Sequence, residues 1–244
     1  MKILIVSGFL GAGKTTFIKR LARNVDQRFA ILENEYGAAG IDGARLGQNR
    51  QGTQKNVWEM TEQCICCIGK KDFAASVLTI ANVVDPEYLI VEPTGVGSLA
   101  RIIENLRQIE YERIQLLSPV TIVDVYSYRR YMAEYPELYQ DQIRSADTII
   151  VSKTEACQAE EKQRIQKFLQ EINPQAKIIT DYASTMTRED YQSLLLGGRY
   201  EKEVQDTQSG EKMPETFSFE NIRMEAPETL WCFLEQIIRG AFGN

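Results

Sequence analysis

The residues with the plainest chemistry are Gly8-Phe9-Leu10-Gly11-Ala12-Gly13-Lys14-Thr15, which satisfy G-x-x-x-x-G-K-[ST] at every fixed position. Glycines at 8, 11 and 13 let the backbone curl so that successive N–H groups face one anion. A helix beginning there adds its free N-terminal N–H groups and the positive end of its dipole. Lys14 would reach the β- and γ-phosphates, and the Thr15 hydroxyl would ligate Mg²⁺. Gly8, Gly11, Ala12, Gly13, Lys14, Thr15 and Thr16 are therefore nucleotide-binding candidates.

Three further groupings carry chemistry. Glu92-Pro93-Thr94-Gly95 closes an apolar run, where a carboxylate can hold Mg²⁺ through water and the Gly95 N–H can sense a γ-phosphate. Ser152-Lys153-Thr154-Glu155 is similar to the guanine signature [NST]-K-x-D, in which a carboxylate accepts from the base N1–H and N2–H and the lysine stem lies along the ring. Glu155 replaces the usual Asp and Ser152 the usual Asn, so ATP stays open beside GTP. Cys64, Cys66 and Cys67 stand within four residues. Three thiolates suit Zn²⁺ or a similar borderline-soft ion and leave one position open. A redox pair or buried free thiols are the alternatives. Cys157 and Cys232 are isolated and read as core. With no histidine in the chain, any transition-metal site must use sulfur, carboxylate, main chain or water.

The spacing of apolar residues predicts what holds these groups. Strands are expected at Lys2–Ser7, Phe29–Glu33, Asn56–Met60, Tyr88–Val91, Pro119–Val125, Thr148–Val151 and Ala176–Thr180. Helices alternate with them at Phe17–Arg23, Phe73–Val83, Leu99–Leu106, Tyr126–Met132, Pro136–Ser145 and Gln158–Ile172. That alternation reads as α/β, a mainly parallel sheet with helices on both faces, ligands sitting beyond the carboxyl ends of the strands. The glycine loop, Glu92 and Ser152–Glu155 all fall at such ends. Residues 1–198 form this domain and 199–213 a polar linker. A small βα tail follows at 214–244, with a strand at Thr216–Met224 and a helix at Glu228–Arg239.

Composition is that of an ordinary globular protein: 244 residues, 43% hydrophobic and 25% charged. A net charge of −6 argues against a broad basic surface for nucleic acid. No apolar run is long enough for a membrane span. The N-terminal run flows directly into the glycine loop, so it is not a removable leader. The cysteine pattern is no secreted disulfide framework. Cytoplasm is the expected compartment.

Taken together, GFLGAGKTT at Gly8–Thr16, ENEYG at Glu33–Gly37 with Asp42 beyond, CICC at Cys64–Cys67, EPTG at Glu92–Gly95 and SKTE at Ser152–Glu155 resemble the CobW-like branch of the CobW/HypB/UreG family of P-loop GTPases. The resemblance covers roughly residues 1–180. It implies Mg²⁺-dependent GTP hydrolysis to GDP in the service of metal delivery or metallocofactor assembly. Zn²⁺, Co²⁺ or Ni²⁺ would be held at Cys64, Cys66 and Cys67, with Glu35 able to join them, and a recipient metalloprotein or cofactor-assembly protein would be the partner. Gln63 stands where that family has a glycine. The family's larger C-terminal domain with its histidine tract is absent or reduced to the tail, which could be natural or a truncation.

The expectation is thus a GTPase with Lys14, Thr15 and Glu92 as catalytic residues and Thr15, Asp42 and Glu92 around Mg²⁺. Gly95, Ser152, Lys153 and Glu155 complete the nucleotide site. The nucleotide state would gate a thiolate metal site. A homodimer or partner would accelerate turnover, since no arginine finger or positioned glutamine follows Glu92. A nucleotide-dependent regulatory module that senses metal or redox state through its cysteines is the alternative.

Overall fold

A computed structural model describes residues 1–27, 29–33, 57–61, 70–204 and 231. The strands are β1 (Lys2–Gly8), β2 (Phe29–Glu33), β3 (Val57–Thr61), β4 (Tyr88–Glu92), β5 (Gln115–Leu116), β6 (Val120–Asp124), β7 (Thr148–Ser152) and β8 (Lys177–Ile179). The helices are α1 (Lys14–Asn24), α2 (Lys70–Val83), α3 (Leu99–Arg107), α4 (Tyr128–Glu134), α5 (Pro136–Arg144), α6 (Ala159–Ile172), α7 (Tyr182–Thr185) and α8 (Arg188–Leu196). Among the described residues the sheet runs β3-β2-β4-β1-β6-β7-β8, with β5 beside β1 off this path. Every ladder between these strands is parallel.

β1 lies at the centre, and alternation along it divides the core. Ile3 and Ile5 pack with Leu32, Val91, Val77 and Ile103 under α2 and α3. Leu4 and Val6 face Phe17, Leu21, Tyr182, Tyr191 and Leu195 from α1, α7 and α8. Both faces of a parallel sheet must be covered in this way, which is why its strands read as unbroken apolar runs. A third cluster joins Phe9, Val123, Val151, Tyr139, Ile143 and Leu169 under α4, α5 and α6.

Most of the expected elements are present, with differences at their ends. α1 starts at Lys14 rather than Phe17, and α2 at Lys70 rather than Phe73. The short β5 and the helices α7 and α8 were not expected. α8 carries a start signal all the same, a capping box between Thr187 and Asp190. The polar stretch from Arg199 begins docked: Tyr200 is buried, its N–H donates to Leu116 O at 2.9 Å, and its hydroxyl donates to Ser145 O at 2.9 Å. The chain divides into two compact units, Met1–Pro214 and Glu215–Asn244. Of the second only Trp231 is described, so the expected Thr216–Met224 strand and Glu228–Arg239 helix lie outside the described residues, Trp231 apart. Among the described residues no helix is long and apolar enough to cross a membrane.

Candidate functional site

The loop between β1 and α1 is held by its own lysine. Lys14 is buried, and its ammonium donates to Gly8 O at 3.1 Å and Phe9 O at 3.5 Å. Gly8, Gly11 and Gly13 all have positive φ, at 143°, 68° and 100°. At Gly8 the constraint is also spatial, because a Cβ would stand 2.4 Å from Ile122 O. Gly13 caps α1 in a left-handed conformation and, being glycine, brings no side chain of its own to the helix start. A helix start prepared in this way suits an anion.

Thr15 and Glu92 meet although 77 residues separate them: the Thr15 hydroxyl donates to Glu92 Oε1 at 3.0 Å, with Oε2 at 3.3 Å. A hydroxyl beside a carboxylate is an all-oxygen donor set of the kind Mg²⁺ prefers. The loop after β4 lies directly on the glycine loop. A Cβ on Gly95 would fall 2.5 Å from Leu10 N and 2.8 Å from Leu10 Cα. Gln142 of α5 grips the same loop, its amide donating to Gly95 O at 3.1 Å and Gly97 O at 3.0 Å. Its neighbour Asp141 accepts from Leu99 N at 2.7 Å, at the start of α3. Phe9 is boxed by Tyr131, Tyr135 and Tyr139 at 4.2, 5.5 and 5.7 Å between ring centroids. Burial pushes the Tyr139 phenol far above its ordinary range, so it remains neutral.

At the end of β7, Ser152 is buried, and its hydroxyl donates to Ala12 O of the glycine loop at 2.6 Å. Lys153 has a left-handed backbone with φ of 60°, and its ammonium pairs with Asp124 Oδ2 at 2.7 Å. Thr154 is buried and hydrogen-bonds Asp181, which also accepts from Lys162 at 2.6 Å. The Lys162 hydrogen bond, then that of Thr154, holds the Asp181 carboxyl below its ordinary range. Glu155 is exposed.

The structure therefore brings Lys14, Thr15, Glu92, Gly95 and Ser152 to one rim with the glycines. Asp124, Gln142 and Asp181 join them, though sequence reasoning did not single them out. Asp124 carried a usable signal, since it ends a strand at the sheet edge where ligands gather. Gln142 carried none, being one polar residue in an amphipathic helix.

Glu35, Asp42, Cys64, Cys66 and Cys67 lie outside the described residues. Among the described residues no group of three or more Cys, Asp or Glu side chains could hold a metal ion. The strand that leads into the cysteine segment is described. Thr61 at the end of β3 is in register with Glu33, and Glu33 with Glu92. At the usual strand spacing this puts the Thr61 backbone about 10 Å from that of Glu92.

The model of the CobW/HypB/UreG nucleotide-binding domain matches residues 2–180. A zinc chaperone of Escherichia coli K12, YeiR, is 30% identical over 178 residues, covering 72% of this chain and 53% of the relative. The zinc chaperone CobW of Pseudomonas aeruginosa is 27% identical over 194 residues, 68% of this chain and 52% of the relative. The chain thus spans about half the length of the curated relatives it matches. Among solved structures, Zn(II)-bound YjiA GTPase from E. coli superposes with a TM-score of 0.56 at 20% identity, covering 83% of this chain and 66% of that one. The hydrogenase maturation factor HypB of Archaeoglobus fulgidus gives 0.54 at 18% identity, over 80% of this chain and 89% of that one. These structures share the fold.

Proposed function

Because the chain belongs to the CobW/HypB/UreG nucleotide-binding family, we propose that it binds and hydrolyses GTP and couples that cycle to handling a metal ion at Cys64, Cys66 and Cys67, with Glu35 as a further ligand. The observation that carries the nucleotide half is the meeting of Thr15 and Glu92 beside a glycine loop whose lysine is already directed inward. The Gly8–Thr16 backbone and Lys14 cradle the phosphates. Thr15 and Glu92, with Asp42 as a candidate third group, hold Mg²⁺, which when bound neutralises charge on the phosphates. Gly95 lies against Leu10 and so reports the state of the glycine loop to the segment that precedes α3. Lys153 and Glu155 read the base.

The metal half is supported by the names of relatives, zinc chaperones among them, and by the register that brings the Thr61 end of β3 to the rim of Glu92. If nucleotide alters the affinity for metal, linkage requires metal to alter the affinity for nucleotide by the same factor. The metal is cargo, passed to a recipient metalloprotein or a cofactor-assembly partner in the cytoplasm, and a homodimer is a candidate activator. Without a supplied arginine, intrinsic turnover is expected to be slow, on the order of 10⁻⁴ to 10⁻² s⁻¹.

The test is a Zn²⁺ titration of the full chain with and without a non-hydrolysable GTP analogue, repeated on Cys66→Ser. The expected result is a nucleotide-dependent affinity that Cys66→Ser abolishes. An affinity unchanged across all these conditions refutes the coupling. Lys14→Ala should lose nucleotide binding, and retained tight GTP binding would remove the phosphate-loop assignment.

A further inference from the structure

The Ser152–Glu155 signature names the residues that would touch a base but not what holds them in place. Ser152 is tied to Ala12 O, and Thr154 to Asp181. Lys153 is different, because its side chain is 47% exposed and would otherwise sweep through solvent on four methylenes. Its ammonium instead meets Asp124, whose side chain is only 6% exposed. That carboxylate is fixed before the lysine reaches it: Oδ1 accepts from Tyr126 N at 2.8 Å, and Oδ2 from the Ser127 hydroxyl at 3.0 Å. The rigid partner orients the flexible one. Lys153 also starts from a left-handed backbone, an uncommon state for a residue with a side chain. With both ends set, its stem spans from the end of β7 to the end of β6.

We propose that Asp124 is a positioning residue for base recognition. It holds Lys153 as one wall of the base pocket and leaves Glu155, exposed on the same loop, to meet the base's hydrogen-bond donors. This rests on the guanine-nucleotide reading above.

The experiment measures affinities of the full chain for GDP, ADP and inorganic tripolyphosphate by calorimetry. Wild type is compared with Asp124→Asn, Lys153→Met and the double variant, each with its Tm. Asp124→Asn should weaken GDP about tenfold and leave tripolyphosphate within about twofold, because the phosphate loop does not depend on this pair. Lys153→Met should show the same selective loss, and the double variant should be no worse than Lys153→Met alone. Penalties that add, GDP affinity that is unchanged, or equal loss of GDP and tripolyphosphate each overturn the inference. Should Asp124→Asn fail to fold, Ser127→Ala, which removes the hydroxyl that fixes Asp124 Oδ2, decides by the same criterion. A wild-type chain that binds tripolyphosphate without preferring GDP to ADP refutes the guanine reading and this inference with it. A preference for GDP over ADP that Asp124→Asn leaves undiminished refutes this inference alone.

Discussion

Two glycines of the rim are there for space. Gly8→Ala would drive a Cβ into Ile122 O in a backbone conformation that side chains rarely adopt. It should cost at least about 2 kcal/mol in a denaturant melt. Gly95→Ala meets the Leu10 backbone, which cannot rotate away as a side-chain tip would. Its expected outcome is a joint loss of Tm and of nucleotide affinity; a variant with normal affinity would show that the two loops do not bear on each other. Ser152→Ala removes the donor to Ala12 O and leaves a buried carbonyl short of a partner, worth about 1–2 kcal/mol. The glycine loop, Glu92 and Ser152 were legible because each belongs to a short run with a stated task. Asp124 had its place at a strand end as a signal, but its pairing was not legible, because Lys153 lies 29 residues further on.

Strands were easier to read than the helices that close the molecule. β1, β4, β6 and β7 are buried almost from end to end and mostly apolar, as cover on both faces demands. α8 escaped notice because its inward side is carried by only two buried residues, Tyr191 and Leu195, too few for a clear period. Its capping box was the better signal. Thr187→Ala should lower stability by about 1 kcal/mol while leaving nucleotide affinity unchanged, since α8 supplies none of the residues gathered at the rim and meets α1 through Tyr191 and Phe17. Asp181, which opens α7, lends itself to a pH experiment. Its pKa is lower folded than unfolded, so its contribution is present above the ordinary carboxylate pKa of about 4 and is lost as pH falls through the folded value. Asp181→Asn should therefore cost Tm near neutrality and flatten the acid limb of the Tm profile. An acid limb as steep as that of wild type would show that Lys162 and Asp181 do not stabilise the fold together.

At the scale of the whole molecule, one sheet edge collects groups from residues 8 to 155, and the parallel ladders bring their strand ends level. That much followed from the alternation of strands and helices and from ligand position at carboxyl ends. The helices α7 and α8 and the buried Tyr200 did not follow, because the signatures of the nucleotide site stop well before them. The match to the family's nucleotide-binding-domain model ends at residue 180, yet Tyr182, Tyr191, Leu195 and Tyr200 are all buried in the same body. The matched stretch therefore stops short of the physically complete body. A polypeptide cut after Thr180 would bare the flank of α1 and the β1 residues that Tyr182, Tyr191 and Leu195 cover, and would leave Leu116 O without its Tyr200 donor. It should appear as an aggregation-prone or partly melted species, whereas one ending at Val204 should unfold in a single sharp step.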